Sequence, residues 1–118
     1  MNEMVQTKEF MLLFRYEPSN DYQPTEAEMN EQHQLWGAFI GNLAIQEKLV
    51  STHQLSLEGS QVFPGGTVKK GLHIVDNQTV GGNMVIRAAS LDEAAELAQN
   101  CPILVVGGTV EVREVTPM

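Results

Sequence analysis

Three histidines, His33, His53 and His73, are the side chains of this sequence that titrate near neutrality without help, which makes them the first candidates for moving a proton. A histidine in that role needs a carboxylate or a substrate oxygen within reach, to set its tautomer and to accept the proton. Asp76 is the only aspartate in the middle of the chain, and it is the candidate partner of His33. His53 falls in an expected strand, with its direction set by Thr52 and Gln54, from where it can reach the same cleft. No two of the three histidines stand at the i,i+4 spacing of a helix or the i,i+2 spacing of a strand, so no metal site and no cofactor are expected. Cys101 is the only cysteine, which excludes an intramolecular disulfide and a cysteine-built zinc site. It falls at the end of an expected helix, where the dipole disfavours a thiolate, so it reads as a buried inert thiol. The glycine turns Phe63-Pro64-Gly65-Gly66-Thr67 and Val106-Gly107-Gly108-Thr109 lack the Gly-Lys-Ser/Thr ending of a phosphate loop.

The chain that must position these groups has 118 residues, 42% hydrophobic and 19% charged, which is the composition of one globular domain spanning 1–118. Seven basic residues against 15 acidic give a net charge of -8. Nucleic acids and anionic membranes both select for clustered Lys and Arg, so neither is an expected partner. The longest apolar runs, such as Phe10 to Phe14, fall far short of the roughly 20 residues that cross a bilayer. No leader pattern of basic start, apolar run and small cleavage residues is visible, and the expected location is the cytoplasm.

Lys8 to Tyr16 is apolar nearly throughout and reads as a strand covered on both faces. A breaker-rich loop from Glu17 to Pro24 follows. Thr25-x-x-Glu28 then matches a capping box and opens a helix ending near Glu47. Met29, His33, Trp36, Ile40 and Leu43 recur at steps of four and three, so they share one helical face, widened by Leu35 and Phe39. On that face His33 is directed at the sheet. Its plainer reading is a core-edge histidine bonded to backbone, and Trp36 is a core aromatic or stands at the rim of a pocket.

A strand is expected from Leu49 to Leu55, then short strands near Gln61–Phe63, Thr67–Lys70 and His73–Val75, with a turn at Asp76-Asn77. Gly81-Gly82 introduces a strand over Asn83–Ala88. Ser90-x-x-Glu93 caps a second helix whose apolar face is Leu91, Ala94, Ala95 and Ala98, stopped by Pro102. Thr109–Arg113 alternates as the last strand. The β-α-β pattern occurring twice is the split βαβ, ferredoxin-like α+β arrangement, with an antiparallel sheet and two helices on one face. The two-residue strand period sends Arg15, Arg87, Glu111 and Arg113 to the helix-free face together with Met11 and Leu13. A mixed face of this kind suits an open wet surface, a cavity between two sheets, or a dimer interface. The nearly continuous apolar first strand favours the dimer.

Phe10-Met11-Leu12-Leu13, Trp36-Gly37, Gly81-Gly82, Ser90-Leu91-Asp92-Glu93-Ala94, Cys101-Pro102 and Val110-Glu111-Val112-Arg113 cover most of the chain. In this order and spacing they resemble the YCII-related family, also named after a DGPF motif. The resemblance implies a ferredoxin-like fold that dimerises sheet to sheet, of the dimeric α/β barrel type, with a cleft near the first helix and the sheet for a small molecule. The family motif, Asp-Gly-Pro-Phe followed by an acidic residue and a Lys-Glu pair, is largely lost. Counting back from Gly81-Gly82, it becomes Lys70-Gly71-Leu72-His73, then Val75, then Asn77-Gln78. His73 replaces the aromatic, so packing is its simpler role.

Two functional readings follow. In the first, a small anionic metabolite binds in a cleft and His33 with Asp76 moves a proton, in the manner of a lyase or isomerase. Arg15, Trp36, His53, Arg87 and Arg113 line the substrate site. In the second, the chain is a non-catalytic homodimeric module that binds a small molecule or a protein. Five acidic residues and no basic one lie between Glu17 and Glu31, so acidic charge gathers around the first helix while the arginines sit in strands.

Overall fold

The computed structural model describes residues 7–18 and 24–118. The strand expected at the start is β1 (Lys8–Tyr16), and the capped helix is α1 (Glu26–Ile45). Both halves of the α1 capping box form: Thr25 Oγ1 accepts from the Glu28 amide at 3.1 Å, and Glu28 Oε1 accepts from the Thr25 amide at 2.8 Å. After β2 (Leu49–Gln54) the chain makes a short hairpin, β3 (Ser60–Val62) and β4 (Val68–Lys70), turned through Phe63–Thr67. Then come β5 (Thr79–Ala88), α2 (Leu91–Ala98), a 3-10 helix (Pro102–Val106) and β6 (Thr109–Glu114).

Four strands form one antiparallel sheet in the order β2-β5-β1-β6, the ferredoxin-like order, while β3 and β4 pair only with each other. One face of the sheet carries the core. Phe10, Leu12 and Phe14 from β1 and Met84, Ile86 and Ala88 from β5 are buried against Phe39 and Leu43 of α1 and Ala94 and Ala98 of α2. Each large side chain among them contributes about 1.5–3 kcal/mol by leaving water. Trp36 meets Phe14 edge to face at 5.3 Å and Phe39 at 6.1 Å, which ties α1 to the sheet.

Both helices pack on the same side of β1, and on its other face Met11 and Leu13 are half-buried in the single chain. The apolar stripe expected along α1 is corrected. Phe39 and Leu43 are buried, but Met29 is 46% exposed and His33 is exposed as well, because no core residue lies over the first two turns. On α2 the packed positions are Ala94, Leu97 and Ala98; Leu91 and Ala95 face solvent. Alanines at the contact let the helix lie close to the sheet. Pro102 does not stop α2, which ends at Ala98; it opens the 3-10 helix instead, where its fixed φ and missing N–H cost nothing.

Gly81 and Gly82 lie inside β5 rather than before it. Opposite them the β1–β5 register slips by one residue: Phe14 pairs with Gly82 but Arg15 pairs with Val80, so Gly81 is the extra residue of a bulge. A Cβ on Gly82 would stand 2.6 Å from the His53 carbonyl oxygen, and one on Gly81 would enter the Tyr16 ring. The expected strand at His73–Val75 is absent. A two-residue turn at Asp76-Asn77 is closed instead by a single bridge between Val75 and Gln78.

Candidate functional site

The sheet separates the residues singled out in the sequence into two groups. His33 and Trp36 belong to the helix layer. Arg15, His53, Arg87 and Arg113 belong to the opposite, helix-free face, since their neighbours in β1, β2, β5 and β6 alternate toward the core. His33 is exposed on α1, so its expected orientation toward the sheet is not met. Trp36 is the core aromatic of the plainer reading.

On the helix-free face the register aligns side chains in rows. His53, Asn83, Leu13 and Glu111 lie across the four strands in one row, and Val85, Met11 and Arg113 in the next. His53 Nδ1 is 3.3 Å from Asn83 Oδ1. Arg15 Nη1 donates to Glu111 Oε1 at 2.7 Å, a partly exposed pair worth at most about 1 kcal/mol to the fold. Arg87 Nη1 donates instead to the Glu47 carbonyl at 3.3 Å, which holds the αL turn between α1 and β2. Arg113 has no side-chain partner among the described residues.

Arg15 and Asp76 do come together. With His73, Val75, Gln78, Thr79 and Val80 they line a cavity of about 360 Å³ at the end of the β1–β5 pair, beneath the segment that leads into β5. Local chemistry explains why that segment holds its shape. Asp76 and Asn77 both have positive φ, 53° and 65°, as the first and second central residues of a two-residue turn require, and Asp and Asn tolerate that region best after glycine. Val75 and Gln78 exchange both backbone hydrogen bonds, at 3.0 and 2.9 Å. The Thr79 hydroxyl, on the one buried polar residue among those described, donates to the His73 carbonyl at 3.0 Å. Gln78 Oε1 accepts from the Thr109 hydroxyl at 3.2 Å, which leaves the amide N–H groups of Gln78 free to donate.

The histidine of this cavity is therefore His73, and not His33. The sequence offered one signal for it: His73 stands three residues before Asp76, close enough to share a wall with it. Its position in the lost motif pointed the other way, to packing. A second cavity, of about 320 Å³, lies between α1, α2 and the 3-10 helix, lined by Leu35, Phe39, Leu43, Leu97 and Val105 with Asn42, Gln46 and Asn100 at its polar edge. It carries no titratable side chain. His33 lines neither cavity.

Among the described residues no group of three His, Cys, Asp or Glu side chains could hold a metal ion. Cys101 is 2% exposed, and burial pushes its thiol up to about 11, partly offset by a hydrogen bond from the Ile103 backbone. No helix among the described residues is long and apolar enough to cross a membrane. The family model of the YCII-related domain matches residues 5–118. No curated protein matches the chain.

Proposed function

The chain belongs to the YCII-related family, whose members are typically dimeric, and we propose that it is a homodimeric binding protein for a small molecule bearing an anionic group, held in the cavity of Arg15, His73 and Asp76. The observation that carries this reading is the placement of Arg15. Arg15 lines the cavity from a central strand, and its guanidinium uses one nitrogen on Glu111, so further N–H donors remain for a carboxylate. A binding group on a strand is positioned more tightly than one on a loop. His73 is the histidine that lines the cavity, and an imidazole can both donate and accept a hydrogen bond. Proton transfer next to the bound anionic group, of the lyase or isomerase type, is the chemistry this pairing supports.

The homodimer forms through the helix-free face. Met11, Leu13 and Val85 make an apolar centre there, bordered by Arg15, Arg87, Arg113, Glu9 and Glu111, so a second copy turned about a two-fold axis meets both apolar surface and opposite charge. A non-catalytic module is the alternative, favoured by the ion pair that already occupies one side of Arg15.

The test is a titration of the labelled protein with a panel of small carboxylates, followed by amide resonances of the segment 73–80. Binding that falls at least tenfold in Arg15→Gln supports the reading. Equal affinity in wild type and Arg15→Gln removes the cavity as the site. For a ligand found in this way, loss of turnover but not of binding in His73→Gln separates the catalytic reading from the non-catalytic one.

A further inference from the structure

The four-stranded sheet has two outer strands, β2 and β6, and only one of them is regular. β2 meets β5 through a register shift between Leu49 and Ser51, an irregularity of the kind that turns an edge away from further pairing. β6 has no shift against β1, and no proline or glycine between Thr109 and Glu114. Its ladder identifies the backbone groups left over. The Val115 amide donates to the Glu9 carbonyl at 2.9 Å, and residues bonded to the partner strand alternate with residues that are not. Thr109, Glu111 and Arg113 therefore turn their backbone groups to β1. Val110, Val112 and Glu114 turn theirs outward, where no backbone group among the described residues pairs with them. Such a row of open N–H and C=O groups is a template for another strand.

We propose that this edge takes the same edge of a second copy, β6 against β6, antiparallel about a two-fold axis at Val112, so that two four-stranded sheets join into one. The side chains select this register from its neighbours. With the axis at Val112, the outward backbone groups meet in hydrogen-bonded pairs, Val112 with Val112 and Val110 with Glu114 of the second copy. Glu111 of each copy then faces Arg113 of the other on the helix-free side, at the non-hydrogen-bonded positions where side chains approach most closely. With the axis at Glu111, Arg113 or Glu114, two like charges stand directly opposite each other, which is destabilising. With the axis at Val110, the pairing runs into Gly108, whose amide already donates to the Ile103 carbonyl at 2.9 Å. Glu111 can serve two partners, since Oε1 accepts from Arg15 at 2.7 Å and Oε2 accepts no hydrogen bond among the described residues. Exposed ion pairs add little affinity, so their part is to fix the register. One strand pair falls below the roughly 1,200 Å² of stable interfaces, so the contact opens in dilute solution and closes at high concentration. It leaves Met11 and Leu13 uncovered. A dimer made through the sheet face can therefore pair again, edge to edge, into a tetramer with perpendicular axes.

The experiment is sedimentation equilibrium of the full chain from about 10 μM to about 1 mM, with amide exchange followed over the same range. The expected mass at the upper end is twice the dilute mass, with the amides of Val110, Val112 and Glu114 gaining protection and those of Glu111 and Arg113 unchanged. Val112→Pro removes an outward donor at a position where an edge strand tolerates proline, and its mass should stay at the dilute value. Leu13→Asp, which disrupts the sheet face, should still double its mass. Arg113→Glu and Glu111→Arg each place like charges opposite one another and should not double alone, whereas an equal mixture of the two should. A wild-type mass that does not change with concentration overturns the proposal, as does doubling that survives Val112→Pro or is lost in Leu13→Asp. Doubling of either charge variant alone, or none in their mixture, overturns the register at Val112.

Discussion

The Thr79 hydroxyl donates to the carbonyl oxygen of His73 across six residues at 3.0 Å, and Thr79 is 5% exposed. Through that one bond a buried strand position determines where the cavity segment lies. Thr79→Val keeps the shape and removes the donor, leaving the His73 carbonyl with a lost partner, a change that costs about 1–2 kcal/mol. The urea midpoint should fall accordingly, and amide exchange over 73–78 should quicken more than exchange in the core of β1. Thr79→Ser should restore both.

The turn at Asp76-Asn77 offers the opposite sign. Asn77 holds φ at 65°, where glycine pays no steric penalty. Asn77→Gly should therefore raise stability by about 0.5 kcal/mol, seen as a higher urea midpoint, and should leave ligand affinity unchanged because Asp76 keeps its place.

Glycines in different settings should respond differently. A Cβ at Gly82 would meet the His53 carbonyl at 2.6 Å, so Gly82→Ala must push β2 from β5 and should cost about 1–3 kcal/mol. Gly37, inside α1, has nothing within 4 Å of the same atom, so Gly37→Ala should gain up to about 1 kcal/mol from helix propensity. Thermal melts of the two variants should move in opposite directions.

Cys101 carries a pH signature. Its thiol is pushed up to about 11 in the folded protein from an ordinary value of 9.0, so the folded state binds the proton more tightly than the unfolded state does. Stability contributed by the protonated thiol is complete below pH 9 and is lost as pH rises toward 11, a loss on the order of 2 kcal/mol. The measurement is the difference in unfolding free energy between wild type and Cys101→Ala at pH 8 and at pH 10.5. An unchanged difference would show the thiol to be solvated. Thiol reagents should modify Cys101 only on unfolding.

The dimer has its own test. Leu13 stands near the middle of the helix-free face, half-buried in the single chain, between Asn83 and Glu111. Leu13→Asp puts a bare charge in the centre of a two-fold contact, so light scattering should give the monomer mass for this variant and twice that for wild type. A monomeric wild type would overturn the interface.

Much of the architecture was legible because local signals and long-range packing agree. The two Ser/Thr caps, the alternation Val110-Glu111-Val112-Arg113 and the order of elements led to the observed sheet, and the face assigned to Arg15, Arg87 and Arg113 follows from the same alternation. What the sequence concealed depends on length and reach. Periodicity marks which side of α1 is apolar, but it cannot tell how much of that side overlies the sheet, so His33 was directed inward when only the later turns pack. A bulge is equally silent: Gly81 reads as a boundary because glycine punctuates strands, yet here it is the extra residue that lets the strand continue. The candidate site was half legible. Arg15 and Asp76 were chosen, whereas His73, one of the three histidines considered, was read as a packing residue, because only the turn at Asp76-Asn77 brings it to the same wall.

The bulge at Gly81 has a consequence for how such a protein can change. Upstream of it lies the segment that forms the cavity; downstream, Met84, Ile86 and Ala88 must stay in phase with the core. Because the extra residue absorbs a slip between these two stretches, the upstream segment can be lengthened, shortened or rewritten without inverting which side chains of the strand point inward. The two parts are thereby modular. Lys70-Gly71-Leu72-His73 lies upstream of the bulge, so substitutions there leave the hydrophobic interior undisturbed.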